Sequence, residues 1–508
     1  MTIDATRDDL IVGVIGAGTM GRGIAQVAAV GGCTVKLFDA NGDAAQDAAT
    51  FIGKMLDRAV ERGRMEAPDS EAAQARIEVV GSASDLAPCA IVIEAVIEDL
   101  EIKRKVFAEL ETIVGEDVIL ASNTSSLSVT LIAASCERPE RVAGLHFFNP
   151  VPLMRLVEVI EGARTGPGIA ETLTDLGKRM GRVPVRVGDA PGFLVNQIGR
   201  GFTIESAHIV EEGVAGWYDI DRILRDGIGF RMGPFELMDL TALDTTHPAT
   251  EMIYHQFYDE PRFRPSLMLS LRKEAGLLGR KVGQGFYAYP DGSPVGDDEP
   301  PAPRYDGRNV WISNAEPDAA ASLRETVIKA GGKLEEGETP SGDALILVTP
   351  IGEDATTAVA EQGLDGSRTI AVDTLFGAGR RWTLMRTPVT SAESAAAAHG
   401  LFGGGEVPAT VINDGLGFVS QRIVAMIVNI ACAVAQARTS TPEDIDQAVT
   451  LGLGYPFGPL AWGDAVGPAT ILRVLQNIYR LSGDPRYRPT PWLRRRAQLG
   501  VSLLTPEN

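Results

Sequence analysis

Histidine and cysteine are scarce in this chain: its 508 residues include five His and four Cys. Cys33, Cys89, Cys136 and Cys432 lie far apart and form no CxxC pair. That excludes a disulfide framework and a thiolate metal site, and it fits reduced thiols in a cytoplasmic protein. Positive charge is also in short supply, 47 Lys and Arg against 67 Asp and Glu, for a net charge of −20. A nucleic-acid-binding protein needs a basic face, so that class is excluded, whereas a local anion site at a helix N-terminus is not. Long apolar runs are missing as well. The longest, "IVAMIVNIACAVA" at 423–435, is too short to span a bilayer and predicts a buried helix. The leading "MTIDATRDDLIVGVIG" opens acidic and breaks at glycine, which is neither a signal peptide nor a membrane span.

What is present is an ordinary globular composition, 44% apolar and 22% charged, in a chain long enough for three or four domains. The stretch "LIVGVIGAGTMGRGIAQVAAVGGCTVKLFDA" reads as a buried strand, a G-x-G-x-x-G turn, a helix and a second strand ending on Asp39. Each glycine has a physical task. Gly16 allows the tight turn, Gly18 lets the backbone approach a pyrophosphate at the helix N-terminus, and Gly21 permits close helix–strand packing. Thr19 and Met20 complete the turn beside the cofactor. An acid at the end of the second strand accepts hydrogen bonds from ribose hydroxyls and repels a 2′-phosphate, so NAD is favoured over NADP. Further strands in "AIVIEAV" and "VILASN", with a helix between them, predict a doubly wound, Rossmann-type α/β domain.

A polar cluster falls at the ligand-binding edge of that sheet. "ASNTSSLSV" sets Asn123, Ser125 and Ser126 at the end of an apolar strand, and "RVAGLHFF" delivers His146 to the same edge. Glu158 then interrupts the apolar "RLVEVIEG". A carboxylate there is costly without a partner, and a His–Glu pair supplies one, fixing the imidazole tautomer and raising its basicity. Alone, His146 reads more often as a packed core histidine, and Glu158 as a strand-edge surface acid. Its company of a nucleotide turn and a serine-rich strand end points to catalysis.

The segments "SNTSSLSV", "GLHFFNPVPLMRLVEVIEG", "DAPGFLVNQI", "GPFELMDLTALD" and "GRKVGQGFY" resemble the signature segments of the L-3-hydroxyacyl-CoA dehydrogenase family over roughly residues 8 to 290. The resemblance implies NAD-dependent oxidation of a 3-hydroxyacyl-CoA to a 3-ketoacyl-CoA. It implies His146 as the general base, Glu158 as its orienter, Ser125 on the substrate oxygen, and Asn196 on the hydroxyl and thioester carbonyl. It implies Glu98, Lys103, Asn149 and Lys281 near the cofactor. It also turns the helix "FIGKMLDRAVERGRM" toward the CoA phosphates, with Lys54, Arg58 and Arg62 as candidates. The serine that the family often carries near Met55 is absent, and a solvated helix face reads those basic residues equally well.

The second half of the chain repeats part of the first. "APGFLVNQI" matches "GLGFVSQRI", and "DIDRILRDGIGFRMGPFELMDL" matches "DIDQAVTLGLGYPFGPLAWGDA", at one constant offset (Gly192 to Gly417, Gly233 to Gly458). "PRFRP" then matches "PRYRP" one position closer. The organisation expected is a Rossmann-type NAD domain at 1–190, an all-α domain at 191–290, a Pro/Asp/Gly-rich linker at 291–307, a degenerate α/β domain at 308–410, and a second copy of the helical domain at 411–508. The second copy has Gln421 in place of Asn196, and the degenerate domain lacks a GxGxxG turn and a strand histidine, so no second NAD site is expected. Two helical copies in one chain can cover each other's apolar face as an internal pseudo-dimer, with or without further homo-oligomerisation. Within the family, the two-copy layout is similar to the 3-hydroxyadipyl-CoA dehydrogenases of phenylacetate breakdown. A distal carboxylate would want an arginine. Arg262 and Arg264 recur in the second copy, whereas Arg231 is replaced there by Pro456, which leaves Arg231 the candidate. A 3-hydroxybutyryl-CoA dehydrogenase and a catalytically silent CoA- or NAD-binding subunit are the alternatives.

Overall fold

The computed structural model describes residues 3–507. Contacts divide the chain into two compact units. One holds the residues up to Gln197 together with Ala437–Leu453; the other holds Ile198–Gln436 together with the residues from Gly454 on.

The first unit is built on an eight-stranded sheet: β1 (Ile11–Ile15), β2 (Thr34–Phe38), β3 (Ile77–Val79), β4 (Ile91–Glu94), β5 (Ile119–Ser122), β6 (Val142–Phe147), β7 (Leu156–Glu161) and β8 (Val183–Gly188). The strand order is β3-β2-β1-β4-β5-β6-β7-β8. The central strands are apolar almost throughout and buried, as parallel strands covered on both faces require. The helix Thr19–Val30 packs Ile24, Ala25, Val27 and Ala28 against them. One pairing breaks the parallel run. β6 and β7 are antiparallel, in a register that sets His146 opposite Glu158.

The units cut across the boundaries expected from sequence. The helix Pro442–Leu453, assigned above to the second helical copy, packs on β7 and β8 of the first sheet. Its fit depends on Gly452, where a Cβ would come within 2.8 Å of the Leu156 and Val195 side chains. Ahead of the helix, Thr439 accepts the Gly188 N–H at 2.7 Å and Ser440 donates to the Arg186 carbonyl at 2.6 Å.

The second unit holds a six-stranded sheet: β9 (Asn309–Ile312), β10 (Lys333–Leu334), β11 (Leu345–Val348), β12 (Thr369–Val372), β13 (Trp382–Arg386) and β14 (Ala409–Ile412), in the order β10-β9-β11-β12-β13-β14. It is parallel except for β12 and β13, the same single reversal as in the first sheet. The three strands expected from "NVWIS", "DALILVTP" and "RTIAVDTL" are β9, β11 and β12. β13 and β14 repeat β7 and β8 at the offset seen in the sequence and in the same register: Trp382 pairs with Ala409 as Val157 pairs with Pro184.

The helical repeats pack in this unit. The helix Val419–Gln436 is apolar and long enough to cross a membrane, yet 89% of it is buried inside the fold, which marks a core helix. Its backbone approaches the helix Val195–Glu211 at Gly201, where a Cβ would lie 3.1 Å from the Ile427 N and Cα. Arg422 is buried between Glu205 and Glu212. Burial pushes the Glu205 carboxyl up, but Arg486 and Arg422 beside it hold it down at about 2. The ion pairs also exchange partners between copies: Arg264 meets Asp484 at 2.7 Å, and Arg488 meets Glu260 at 2.5 Å.

Just past β12 stands Asp373, fully buried, with its N–H donating to the Thr383 carbonyl. One carboxyl oxygen accepts from Gln421 Nε2 at 3.0 Å and from the Leu375 and Phe376 N–H groups; the other has no partner. Burial pushes this carboxyl up to about 7. The folded protein therefore holds the proton more tightly than the unfolded chain, and the stability this confers below the ordinary carboxylate range is lost as pH rises toward 7. Asp373→Asn is expected to flatten that loss and gain roughly 2–4 kcal/mol over the parent at pH 8, measured by urea unfolding at pH 5 and pH 8. Equal pH slopes for the two proteins would contradict it.

Candidate active site

The turn after β1 is shaped by its glycines. Gly16 has φ +97, and a Cβ on it would lie 2.6 Å from the Ala95 carbonyl oxygen. A Cβ on Gly21 would lie 1.7 Å from the Gly16 carbonyl oxygen. At Gly18 the space is open, with nothing within 4 Å. Gly18 caps the helix Thr19–Val30 without a side-chain hydrogen bond, so the first amides of the helix are presented to whatever enters. Asp39 follows β2 and accepts the Ala17 N–H at 2.7 Å and the Asn41 N–H at 2.9 Å. Gly16, Gly18, Asp39, Val96 and Ile97 line a cleft of about 570 Å³. These residues fit a dinucleotide: room for a pyrophosphate at Gly18, donors at a helix start, and an acid where a ribose would lie.

Met20 packs against the sheet core, and Thr19 faces a second cleft. Lys103 does not line the dinucleotide cleft. Its ammonium is buried behind it, 2.6 Å from Glu94 and 3.3 Å from Glu98. Glu98 clamps the serine turn, with Oε1 accepting the Ser125 and Ser126 N–H groups and the Thr124 and Ser126 hydroxyls at 2.7–3.0 Å. Burial pushes the Glu98 carboxyl up, but Lys103 and these donors outweigh it and hold the group below the usual carboxylate range. Sequence reasoning put Glu98 and Lys103 at the cofactor and missed this clamping arrangement.

The antiparallel register brings His146 Nδ1 to 2.6 Å from Glu158 Oε2. Both side chains are buried, at 4% and 0% exposure. A buried carboxylate only accepts, so Nδ1 carries the proton and Nε2 is left as the basic nitrogen. The other oxygen of Glu158 accepts the Leu194 and Val195 N–H groups at 3.1 Å each, at the start of the helix Val195–Glu211. That helix carries Asn196, which donates to the Ser125 carbonyl at 3.2 Å. Phe148 and Phe193 pack on the imidazole, with ring centroids 4.4 and 5.8 Å away. Ser125, His146, Glu158 and Asn196 thus come together, tied by hydrogen bonds through Glu158 and the serine turn.

The second cleft, of about 650 Å³, is lined by Thr19, Asn149, Arg58 and Arg62 together with Arg22, Arg64 and Arg182. The last three arginines were not singled out in the sequence. Arg22 stacks on Phe51, 4.0 Å from the ring centroid, and Arg182 directs its donors at the carbonyls of Met180, Val151 and Met154. Their scatter along the chain hid the cluster; only the folded helix and loop converge. Lys54 is exposed and outside this lining. Lys281 and Arg231 belong to the other unit. There Lys281 pairs with Asp244, and Arg231 is exposed and runs alongside Gly454.

The second sheet repeats the geometry without the chemistry. Asp373 and Thr383 stand where the first sheet has His146 and Glu158. Gln421 reaches toward the Pro350 carbonyl as Asn196 reaches the Ser125 carbonyl, each partner again shifted by the repeat offset.

Residues 11–190 match the NAD binding domain of 3-hydroxyacyl-CoA dehydrogenase, and residues 192–289 and 417–502 both match its C-terminal domain. The chain is 37% identical over 490 residues to the 3-hydroxyadipyl-CoA dehydrogenase of Escherichia coli K12, covering 96% of this chain and 97% of that one. It is 42% identical over 278 residues to a probable 3-hydroxybutyryl-CoA dehydrogenase of Deinococcus radiodurans, covering 54% of this chain and 99% of the relative. Among solved structures it resembles the crystal structure of 3-hydroxybutyryl-CoA dehydrogenase from Escherichia coli K12, with a TM-score of 0.85 at 35% identity, covering 97% of this chain and 99% of that one.

Gly21→Ala is expected to weaken NADH binding at least tenfold, because its methyl group collides with the turn that Gly18 opens. Titration of NADH fluorescence checks this; an unchanged Kd would mean that the dinucleotide binds elsewhere.

Proposed function

The chain belongs to the 3-hydroxyacyl-CoA dehydrogenase family of NAD-dependent oxidoreductases, and we propose that its substrate is a 3-hydroxyacyl-CoA whose acyl chain ends in a carboxylate, 3-hydroxyadipyl-CoA. The observation that carries the chemistry is the buried pair of His146 and Glu158 at the edge of the nucleotide-binding sheet. Bound NAD supplies the hydride acceptor. His146 Nε2 takes the proton of the 3-hydroxyl, and Glu158 holds the ring in the tautomer that leaves Nε2 basic and stabilises the imidazolium once it forms. Ser125 and Asn196 hold the substrate oxygen in line with that nitrogen, so their share of the rate is positioning. Glu98, seated on the amides of Ser125 and Ser126, keeps the serine turn in place. Asn149, Arg58 and Arg62, with Arg22 and Arg64, offer the cleft in which CoA phosphates would meet guanidinium groups.

The carboxylate-ended acyl chain is favoured by the relative named for 3-hydroxyadipyl-CoA, whose likeness spans nearly the whole of both chains. The name of the solved relative, with a similarly full span, favours a second reading, 3-hydroxybutyryl-CoA. A silent binding subunit is disfavoured by the intact base and its orienter. The ion pairs that swap partners between the helical copies support an internal pseudo-dimer in which each copy covers the other. Four free thiols support a cytoplasmic setting.

His146→Ala is expected to lower kcat by about a thousandfold or more while NADH binds as tightly as before, assayed by NADH formation from 3-hydroxyadipyl-CoA and by fluorescence titration. Turnover near the parent level would remove His146 from the role of base.

A further inference from the structure

The first sheet holds one charge that the chemistry above does not use. Glu94 ends β4 and Ser122 ends β5, and the two are partners in the register of those strands. Glu94 is fully buried. Its Oε2 accepts the Ser122 hydroxyl at 2.6 Å, and its Oε1 accepts the Val96 N–H at 2.7 Å and the Lys103 ammonium at 2.6 Å. An ammonium and an amide on one oxygen and a hydroxyl on the other hold the group as a carboxylate.

Lys103, equally buried, reaches on to Glu98 at 3.3 Å, and the Glu98 side chain is 32% exposed. Two carboxylates therefore share one ammonium. Among the described residues no second cation pairs with either of them. The group carries one net negative charge. The donors of the serine turn offset part of what that excess costs, but packing alone would be served by one carboxylate for one lysine.

The excess stands where the reaction changes charge. Along the sheet the order β2-β1-β4-β5-β6 sets Asp39, which follows β2, on one side and His146, in β6, on the other. A dinucleotide with a ribose at Asp39 and its pyrophosphate at Gly18 reaches a carbon held beside His146 by laying its nicotinamide half over the ends of β4 and β5. Glu94, Ser122 and the serine turn held by Glu98 lie at those ends. Ala95, Val96 and Ile97, which join the two carboxylates along the chain, line the dinucleotide cleft. The nicotinamide ring is a cation in NAD and neutral in NADH.

We infer that Glu94, Lys103 and Glu98 act together as an electrostatic selector for the oxidised cofactor. Their net negative charge stabilises the cationic ring and gives the neutral ring of NADH no such gain. The selector rests on the NAD reading of the cleft. It tightens binding of the reactant form relative to the product form, so it favours release of NADH after the hydroxyl is oxidised. The pyrophosphate is common to both forms, and its repulsion by the same acids cancels in the ratio of the two affinities.

The test is that ratio. Kd for NADH is read by fluorescence titration, and Kd for NAD by its displacement of NADH, at low ionic strength. Glu98→Gln keeps an oxygen for the donors of the serine turn and removes the charge, and Kd(NAD)/Kd(NADH) is expected to rise about tenfold. Glu94→Gln takes the same charge from the other end of the network and should shift the ratio in the same direction. Glu109→Gln, an exposed acid in the lining of the same cleft, should leave it within about twofold, because solvent screens that charge. A merely structural network would weaken both forms together. A ratio at the parent value in both Glu98→Gln and Glu94→Gln would therefore overturn the selector, as would an equal shift in Glu109→Gln. A parent enzyme that bound neither form would overturn the NAD reading itself.

Discussion

Everything at the candidate site depends on one buried contact, the hydrogen bond between His146 and Glu158. It exists because β6 and β7 run antiparallel in a sheet that is otherwise parallel, in the register that sets the two residues opposite each other. A slip of β7 by one residue would turn Glu158 to the opposite face of the sheet from His146. A carboxylate without solvent exposure is costly, and here the cost is offset by three donors: the imidazole Nδ1–H and the amides of Leu194 and Val195. Those amides begin the helix that carries Asn196. One carboxylate therefore orients the imidazole and also anchors the helix that brings the amide side chain to the serine turn.

The duplicated half shows what this contact contributes by displaying the frame without it. The second sheet keeps the reversal, the register and the reach of an amide side chain toward a strand-end carbonyl. Its buried pair is Asp373 and Thr383, and one oxygen of Asp373 has no partner at all. No imidazole stands there to take a proton. What that half retains is a packing role. Its helix Val419–Gln436 lies against the helix Val195–Glu211 at Gly201, and its Arg422, Arg486 and Arg488 pair with acids of the first copy.

Much of this was legible in the residues. The glycine turn and Asp39 predict the dinucleotide cleft because each has a steric or electrostatic task that few other residues can perform. Glu158 was legible as a partner for His146 because an acid in an apolar strand must pair. The repeat offset was legible only between the helical copies, and the recurrence of β7 and β8 as β13 and β14 emerged from the fold. Other features were not legible. The docking of Pro442–Leu453 on the first sheet depends on a tertiary fit at Gly452 that no local pattern encodes. The family resemblance put Lys103 near the cofactor, and only the folded chain turns it inward between Glu94 and Glu98. The arginine cluster of the second cleft draws on side chains from Arg22 to Arg182, so no window of sequence contains it.

The most direct measurement is the kcat of Glu158→Gln with a 3-hydroxyacyl-CoA at saturating NAD. Glutamine keeps an oxygen for the amides of Leu194 and Val195 but presents N–H groups to His146, which favours the tautomer with the proton on Nε2. The account predicts a fall in kcat of about a hundredfold or more, an unchanged KM for NAD, and a double variant with His146→Ala no slower than His146→Ala alone, because the two residues act as one unit. A kcat within threefold of the parent would contradict the claim that the buried carboxylate sets the base.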